Sequence, residues 1–556
     1  MNTPTKREQP QTGWVVPPQP IRGLDHLGVQ APCIALYGQL LPGITNVTDR
    51  ARYYSFYPWL CWAIDQRYAD RTRDGFARIL RRAECLLALV AAHHEAVLGE
   101  DERDHGVATV GRDKLRPQAV ELIDGGSIDL EDYAAFECED RYFKNRLGGL
   151  GQYYFGPLRD LKLLDYVDGN SKNAPGYDRE RGAHIAGLFE SVVDSRRFFK
   201  VLDGGTLSHK DLEKLHGFCP CALHQNDAER AALLDLFLAR TEGWADEAGK
   251  QRRASLALVM DLVRLTPEPP EVLVEGLLRA TAYSGMLAVG KAWSVPEAWH
   301  RARAGWGAYS RNEMLSVAMQ GLFWAQLGEI AIAGGAIAST RDAANMLSEL
   351  LLSSVDKSWR GLTVAQATER LQARLPPRTN WWEENHEIDR AWRVASLARG
   401  EPDEDAIRAV AAEAILLLLT LLARGLRENP YAEFDLDPSY FSPQEIHLLT
   451  LRRWSLEWAE WPLSDWFAWL GSRWTIERHL HVALRKLRAD NRDTFRIRPL
   501  DSELTLVEIP PVVFTSPRVT RAQQILRDLG LVVPNDDGDW YRLTDSGQAE
   551  LEACRG

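Results

Sequence analysis

The chain has 556 residues, which is too many for one hydrophobic core, so we expect about three or four domains. Its 45% hydrophobic and 26% charged residues are typical of a globular protein and exclude a largely disordered chain. The net charge of -12 excludes a protein that coats nucleic acid indiscriminately, because that function needs a basic surface that releases counterions. Local basic patches remain compatible with this charge.

Cysteine usage and the apolar runs indicate a soluble protein of a reducing compartment. The seven cysteines are odd in number and scattered along a long chain, which does not suit a disulfide framework. Residues 1–20 are polar and proline-rich without an apolar stretch, so we expect a disordered tail and no secretory signal. The longest apolar run, 414–423, is about half of what a bilayer-spanning helix needs. We therefore predict a cytoplasmic protein with no membrane partner.

Residues 21–190 are predicted to form an N-terminal helical domain. Pro42-Gly43 marks a turn. Three polar residues after this turn are candidates for the cap of the next helix: Thr45, Asn46 and Thr48. Pro58 should kink or restart that helix, because its ring blocks the hydrogen bond to the preceding turn.

The rest of the chain predicts helices first and strands only near the end. Residues 191–430 form an all-helical middle domain, with apolar residues at helical spacing over 229–240, 252–265, 271–283, 312–332, 341–352, 383–397 and 404–427. Residues 431–556 add Trp-rich amphipathic helices and an alternating stretch, 494–509, that predicts a hairpin. Because strands begin here, we expect residues 471–556 to form a separable unit. The predicted fold class is mainly α, with several domains.

The C-terminal run predicts a helix, a short hairpin and a final helix. Ser516-Pro517 is a favourable helix start, and Gly530 is a favourable helix end. Leu-Gly-Leu-Val at 529–532 and Leu-Thr-x-x-Gly at 543–547 resemble the winged helix of the MarR group of bacterial transcriptional regulators. In that family the helix before the wing lies in the major groove of DNA, and the wing contacts the backbone or the minor groove.

This resemblance implies a set of DNA contacts. Three side chains fall on the exposed face of the predicted recognition helix: Arg518, Arg521 and Gln524. Arg542 lies on the wing, whose acidic tip departs from the family pattern because carboxylates repel phosphate: Asp536, Asp537 and Asp539. The most basic stretch of the chain, 473–498, precedes this segment and is predicted to contact phosphates, notably through Arg485, Lys486 and Arg488.

A similar order of residues occurs earlier in the chain. Leu158-Arg-Asp-Leu161 parallels Leu526-Arg-Asp-Leu529, and Gly182 parallels Gly547 after it. Residues 153–189 are therefore a candidate for a second winged helix. The alternative is an ordinary helix, loop and helix.

The best metal candidate in the sequence is the segment His216-Gly-Phe-Cys219-Pro-Cys221-Ala-Leu-His224, because thiolates and imidazoles are zinc ligands. Its Cys-x-Cys pair is tighter than the usual finger spacing, and no second cysteine pair follows. We therefore take simple packing as the default and predict no zinc and no other cofactor.

A second polar group consists of His93, His94, Glu95, Asp104 and His105. It would serve a hydrolytic metal if a distant carboxylate joined it, and the alternative is a solvated cluster. The chain has no phosphate-binding loop, nucleophile elbow or His-Glu-x-x-His motif. No catalytic residue is predicted, and the question of enzymatic activity stays open.

Three functions follow from these patterns. The leading one is a nucleic-acid-binding or scaffold component of a bacterial multi-protein system, which docks onto double-stranded DNA through the C-terminal winged helix. By analogy with large bacterial chains that combine winged helices with helical bodies, we expect a role in defence against phage or mobile DNA, with partner proteins from the same operon. The alternatives are a metal-dependent hydrolase such as a nuclease, and a scaffold whose winged helix binds protein.

Overall fold

A computed structural model describes residues 25–70, 72–98, 105, 107–266, 268, 273–425, 434, 445–490, 492–538 and 540–555. The protein is mainly helical, with 64% helix and 6% strand, which confirms the predicted fold class at this level. The predicted tail 1–20, Asp104 and Asp539 lie outside the described residues.

The chain divides into two compact units, each built from separate stretches of sequence. The first unit comprises the described residues of 38–277, 296–302 and 516–556. The second unit comprises those of 25–37, 278–295 and 303–515. The boundaries predicted at 190 and 430 do not coincide with these limits, and the stretch 471–556 is divided between the two units.

The helices of the first half include Ala31–Leu40 (α1), Tyr53–Arg67 (α2), Arg73–Leu98 (α3), Arg112–Glu121 (α4), Glu131–Ala134 (α5), Phe155–Asp160 (α6), Arg181–Val192 (α7), Ser195–Gly204 (α8), His209–Glu213 (α9), Asp227–Leu238 (α10) and Glu247–Leu265 (α11). Two 3-10 turns, His216–Phe218 and Pro220–Gln225, precede α10. Helix α3 packs against α4 and α9, so most of its side chains from Gly75 to His93 are buried.

The helices of the second half include Val274–Ser284 (α12), Glu297–Ile332 (α13), Thr340–Ser354 (α14), Val364–Gln372 (α15), Glu387–Leu397 (α16), Glu404–Gly425 (α17), Leu448–Trp458 (α18), Leu463–Trp469 (α19), Glu477–Asp490 (α20), Val519–Asp528 (α21) and Asp545–Ala553 (α22). Two of them, α13 and the Glu404–Arg424 stretch of α17, are long and apolar enough to cross a membrane. Because 78% and 67% of their apolar windows are buried inside the protein, they match the core helices of a soluble protein.

The strands are short and pair in antiparallel fashion. Ile128–Asp129 (β1) pairs with Thr206–Leu207 (β4), and Leu164–Tyr166 (β2) pairs with Pro175–Tyr177 (β3). Ala336–Ile337 (β5), Ile497–Leu500 (β6) and Glu503–Leu506 (β7) form a three-stranded sheet in the order β5-β7-β6, and β6-β7 is the hairpin predicted within 494–509. Val532–Pro534 (β8) pairs with Tyr541–Leu543 (β9).

Two helix-hairpin-helix segments, α6-β2-β3-α7 and α21-β8-β9-α22, share their internal hydrogen bonds. The Leu163 amide donates to the Leu158 carbonyl at 2.8 Å, and the Leu531 amide donates to the Leu526 carbonyl at 2.9 Å. In both segments a glycine at the start of the last helix lies against the carbonyl of the leucine before the hairpin. A Cβ added at Gly182 would lie 2.3 Å from the Leu163 oxygen, and one added at Gly547 would lie 1.9 Å from the Leu531 oxygen.

Two predicted helix starts are wrong. Helix α2 begins at Tyr53, after the three predicted caps, because the amide and hydroxyl groups of Thr45 and Thr48 bond each other in a turn. Helix α2 also continues through Pro58. Helix α21 begins at Val519, since the preceding Arg518 has a left-handed backbone with φ of 67°. The predicted end of α21 agrees, because Gly530 follows it with φ of 73°.

Candidate metal centre

The loop before α2 carries a buried arginine that fixes the cysteine-containing turn. Arg52 is 2% exposed, and its guanidinium donates to the backbone carbonyls of Gly217 and Cys219. The same guanidinium pairs with both carboxylate oxygens of Glu229 on α10, at 3.2 and 3.1 Å. Since the Arg52 guanidinium and the Glu229 carboxylate are both buried, each charge compensates the other. The turn from Gly217 to Cys219 is therefore held at α2.

A second buried arginine fixes the histidine-containing loop after α3. Arg50 is 2% exposed and donates through Nη1 to the Val107 carbonyl at 2.9 Å. Val107 lies two residues after His105. The arginine pair thus brings two loops, distant in sequence, to the same end of α2.

Four potential metal ligands meet between these loops. His94 on α3, His105, Cys219 and Cys221 each offer one ligand atom, and these atoms lie within 4.8 Å of one another. His105, Cys219 and Cys221 are buried, and His94 is half-buried. Ala91, one helical turn before His94, packs with both cysteines and closes the apolar side of the cluster.

Two sulfur–nitrogen separations in the cluster match tetrahedral zinc. With Zn–S of about 2.3 Å and Zn–N of about 2.0 Å, neighbouring sulfur and nitrogen ligands lie about 3.5 Å apart. The Cys221 Sγ to His94 Nδ1 distance is 3.5 Å, and the Cys219 Sγ to His105 Nδ1 distance is 3.7 Å. The donor set is Cys2His2, and no two of its ligand atoms are more than 4.8 Å apart.

A chain of imidazoles supports the ligand His94. The ring of His216 stacks on that of His94 with centroids 4.0 Å apart. His216 Nε2 lies 2.8 Å from His93 Nδ1, and His93 Nε2 lies 2.7 Å from His209 Nδ1. His216 and His93 therefore orient a ligand without belonging to the metal-binding group.

Burial and neighbouring groups shift the pKa values of two histidines beside the cluster and of its two cysteines. Burial and the neighbouring His209 lower the pKa of His93 to about 4, and burial and four neighbouring histidines lower the pKa of His216 to about 3. Hydrogen bonds from Cys219 and His94 lower the pKa of Cys221 to about 4, while burial raises the pKa of Cys219. A divalent cation beside the two sulfurs would stabilise both of them as thiolates.

The carboxylate expected for hydrolytic chemistry is not part of this group. Glu95 instead pairs with Arg112 at 2.8 Å and with Arg116 at 3.4 Å. Four protein ligands fill a tetrahedral site, and such closed sites are structural, whereas catalytic zinc keeps a position for water. The arrangement can therefore hold an ion and fix two loops.

In the sequence the four residues belong to two separate candidate clusters, His94 and His105 in one, Cys219 and Cys221 in the other. The expectation of no zinc rested on the tight Cys-x-Cys spacing and on the missing second cysteine pair; in the structure two histidines, His94 and His105, lie beside the cysteine pair instead. Of the other two residues in the cysteine segment, His216 stacks on a ligand, and His224 lies beside Gly530. The sequence does not show that the histidines lie close to the cysteines, because more than a hundred residues separate the two pairs along the chain.

The two arginines predicted to contact DNA at the start of α21 form hydrogen bonds within the first unit. Arg518 Nη1 donates to the Ile44 carbonyl at 2.7 Å. Arg521 Nε donates to the Asn46 carbonyl at 3.0 Å, and its Nη1 pairs with Asp49. These bonds attach the N-terminal end of α21 to the loop 41–49.

The other four side chains predicted to contact DNA differ in burial and in hydrogen bonding. Gln524 donates to Asp528 Oδ1 at 3.2 Å. In the second unit, Lys486 is 5% exposed and donates to the Asp25 carbonyl at 2.6 Å, while Arg485 is half-buried and Arg488 is exposed. Of these four side chains, Arg488 is the one that presents its charge mainly to solvent.

Comparison with protein-family models, with curated proteins and with solved structures finds no match to this chain.

Proposed function

We propose that the protein is a zinc-binding scaffold whose first unit is organised around one Cys2His2 centre. The observation that carries this proposal is the convergence of His94, His105, Cys219 and Cys221, whose ligand atoms lie within 4.8 Å of one another. These residues come from helix α3, the loop after it and the turn before α10. In this proposal a metal ion links their side chains directly, in addition to the backbone bonds made by Arg50 and Arg52.

The role of the ion in this proposal is structural. The four ligands leave no coordination position for water, and the nearby Glu95 is neutralised by two arginines. A metal-dependent hydrolase would need an open position and a base next to it. The scaffold interpretation is therefore preferred to the hydrolase interpretation.

We infer that the C-terminal segment, if it is a winged helix, docks onto protein and not onto duplex DNA. Arg518 and Arg521 already donate to backbone carbonyls of the loop 41–49, so DNA would have to displace those bonds. The acidic residues Asp536 and Asp537 of the hairpin turn also disfavour phosphate. Partner proteins from the same bacterial operon, including a defence system, stay the expected ligands by analogy alone.

Metal content tests the proposal directly. Protein purified without chelators or affinity metals should contain one zinc per chain by elemental analysis. Replacement by Co²⁺ should give the intense visible d–d bands of tetrahedral cobalt and a thiolate charge-transfer band in the near ultraviolet. Chelation should lower the melting temperature of the full chain, because binding energy at such a site is folding energy.

Matched variants assign the ligands. Cys219→Ser with Cys221→Ser should abolish both the zinc and the charge-transfer band, whereas Cys138→Ser, in the same unit, should change neither. His94→Gln should weaken binding, and the exposed His184→Gln should not. Background zinc levels in the wild type, or full zinc content in the double serine variant, would reject the proposal.

A further inference from the structure

The C-terminal helix-hairpin-helix segment, residues 519–553, lies directly on the metal-binding loops. Helix α21 packs against the 3-10 turn Pro220–Gln225, which contains the ligand Cys221. At the end of α21, Gly530 faces His224 of that turn, with 3.7 Å between His224 Nδ1 and a Cβ built at the glycine. The turn therefore contacts the metal cluster on one side and the segment on the other.

Arg50 links the same two parts of the first unit through a single guanidinium. Its Nε donates to Asp528 Oδ2 on α21 at 3.0 Å, and its Nη1 donates to the Val107 carbonyl in the loop of the ligand His105. The Ala51 amide also donates to Asp528 Oδ2, at 2.9 Å. Asp528 is 5% exposed, so its charge depends on these donors for compensation.

We propose that metal occupancy controls the seating of residues 519–553 on the first unit. This inference rests on the proposed function, since it requires an ion at the cluster. With the ion bound, the His105 loop and the Cys219–Cys221 turn are held together, and both present their fixed surfaces to α21. Without the ion the His105 loop and the Pro220–Gln225 turn lose their direct link to each other, so the surfaces that Arg50 and α21 contact are held less firmly.

Thermodynamic linkage makes the coupling reciprocal. If the ion favours the seated segment by some factor, then the seated segment favours the ion by the same factor. Couplings of this kind between two sites are typically roughly 5- to 150-fold. Two separate quantities, exchange in the segment and affinity for zinc, must therefore change together.

Hydrogen exchange of the full chain tests the first quantity. Peptides from α21 and α22 should exchange roughly 5- to 150-fold faster after zinc is removed. Peptides from α17 in the second unit serve as the internal reference and should not change. Loss of protection in the segment on chelation, restored by adding Zn²⁺, is the expected result.

A variant that leaves the ligands intact tests the second quantity. Asp528→Asn removes the charge that Arg50 holds and should weaken zinc affinity within the same range, with increased exchange in α21 even in the zinc-loaded protein. Asp545→Asn, an exposed acid of the same segment, should change neither quantity.

The outcomes separate this inference from the proposed function. One zinc per chain with unchanged exchange in residues 519–553 after its removal overturns the coupling and leaves the zinc centre standing. Absence of stoichiometric zinc overturns both. If Asp528→Asn does not fold, the wild-type chelation experiment alone decides, because it needs no substitution.

Discussion

Alanine at Arg518 and Arg521 should lower the stability of the first unit. Arg518 donates to the Ile44 carbonyl at 2.7 Å, and Arg521 donates to the Asn46 carbonyl at 3.0 Å and pairs with Asp49. A hydrogen bond to a charged group contributes about 1.5–3 kcal/mol. The Arg521 side chain is 41% exposed, so solvent screening reduces its share. We expect a combined loss of about 2–4 kcal/mol.

This loss translates into a measurable shift. For a unit of this size the melting temperature changes by about 2 °C per kcal/mol, so the midpoint should fall by roughly 4–8 °C. Circular dichroism melting measures the shift. The exposed Arg542 of strand β9, changed to alanine, is the control and should alter stability by about 0.5 kcal/mol or less.

A titration with fluorescent duplex DNA at low ionic strength completes the experiment. We expect no salt-dependent binding by the wild type, because the arginines are engaged within the chain. An unchanged melting temperature in the double variant, together with loss of a duplex binding that the wild type shows, would refute the argument. It would establish the DNA-reading helix that the sequence resemblance implies.

Three further predictions follow from close packing, ion pairing and burial. Gly547→Ala should destabilise the first unit, since its Cβ would lie 1.9 Å from a backbone oxygen, whereas Gly187→Ala in a helix with open space should be neutral or stabilising; equal melting temperatures would contradict this. Glu229→Ala should cost about 3–5 kcal/mol in urea unfolding by leaving a buried arginine unpaired, and a loss below about 1 kcal/mol would contradict it. Burial lowers the pKa of His26 to about 3 and of His479 to about 4 from 6.5, so the folded state takes up protons less readily than the unfolded chain. Stability should therefore fall as pH decreases below about 6.5, by about 1.4 kcal/mol per pH unit for each histidine, and His479→Gln should reduce that slope; an equal slope would contradict it.

The metal cluster marks the limit of what one sequence can predict about a site. The Cys219-Pro-Cys221 pair was recognisable because two thiols in one turn suit zinc, and His94 with His105 was recognisable as a group of potential ligands. Each pair alone is half of a tetrahedral set. The two pairs come together only where the loop after α3 lies beside the turn before α10. Arg50 and Arg52 hold these two segments, and neither arginine has a local sequence pattern that predicts this role.

Local patterns predicted element types better than element starts. The mainly helical fold, the hairpin near residue 500 and the helix end at Gly530 followed from periodicity and glycine chemistry. The helix starts failed where side chains bond elsewhere: Thr45 and Thr48 bond each other, and Ser516 Oγ donates to Glu275. The discontinuous units could not be predicted either, because their limits depend on tertiary contacts between stretches far apart in sequence.

The position of the proposed ion explains why a scaffold of this size would use one. The loop after α3 and the turn before α10 are irregular. Their carbonyls at Val107, Gly217 and Cys219 accept hydrogen bonds from two buried guanidinium groups, those of Arg50 and Arg52. The hydrophobic effect also holds this region, since Leu215, Phe218 and Leu223 are at most 2% exposed, but it is not directional. Arginine fixes the carbonyls but cannot fix the histidine and cysteine side chains against each other. A tetrahedral ion fixes all four side chains at once. Its removal should therefore increase hydrogen exchange most in these loops and in residues 519–553, and least in the helices of the second unit.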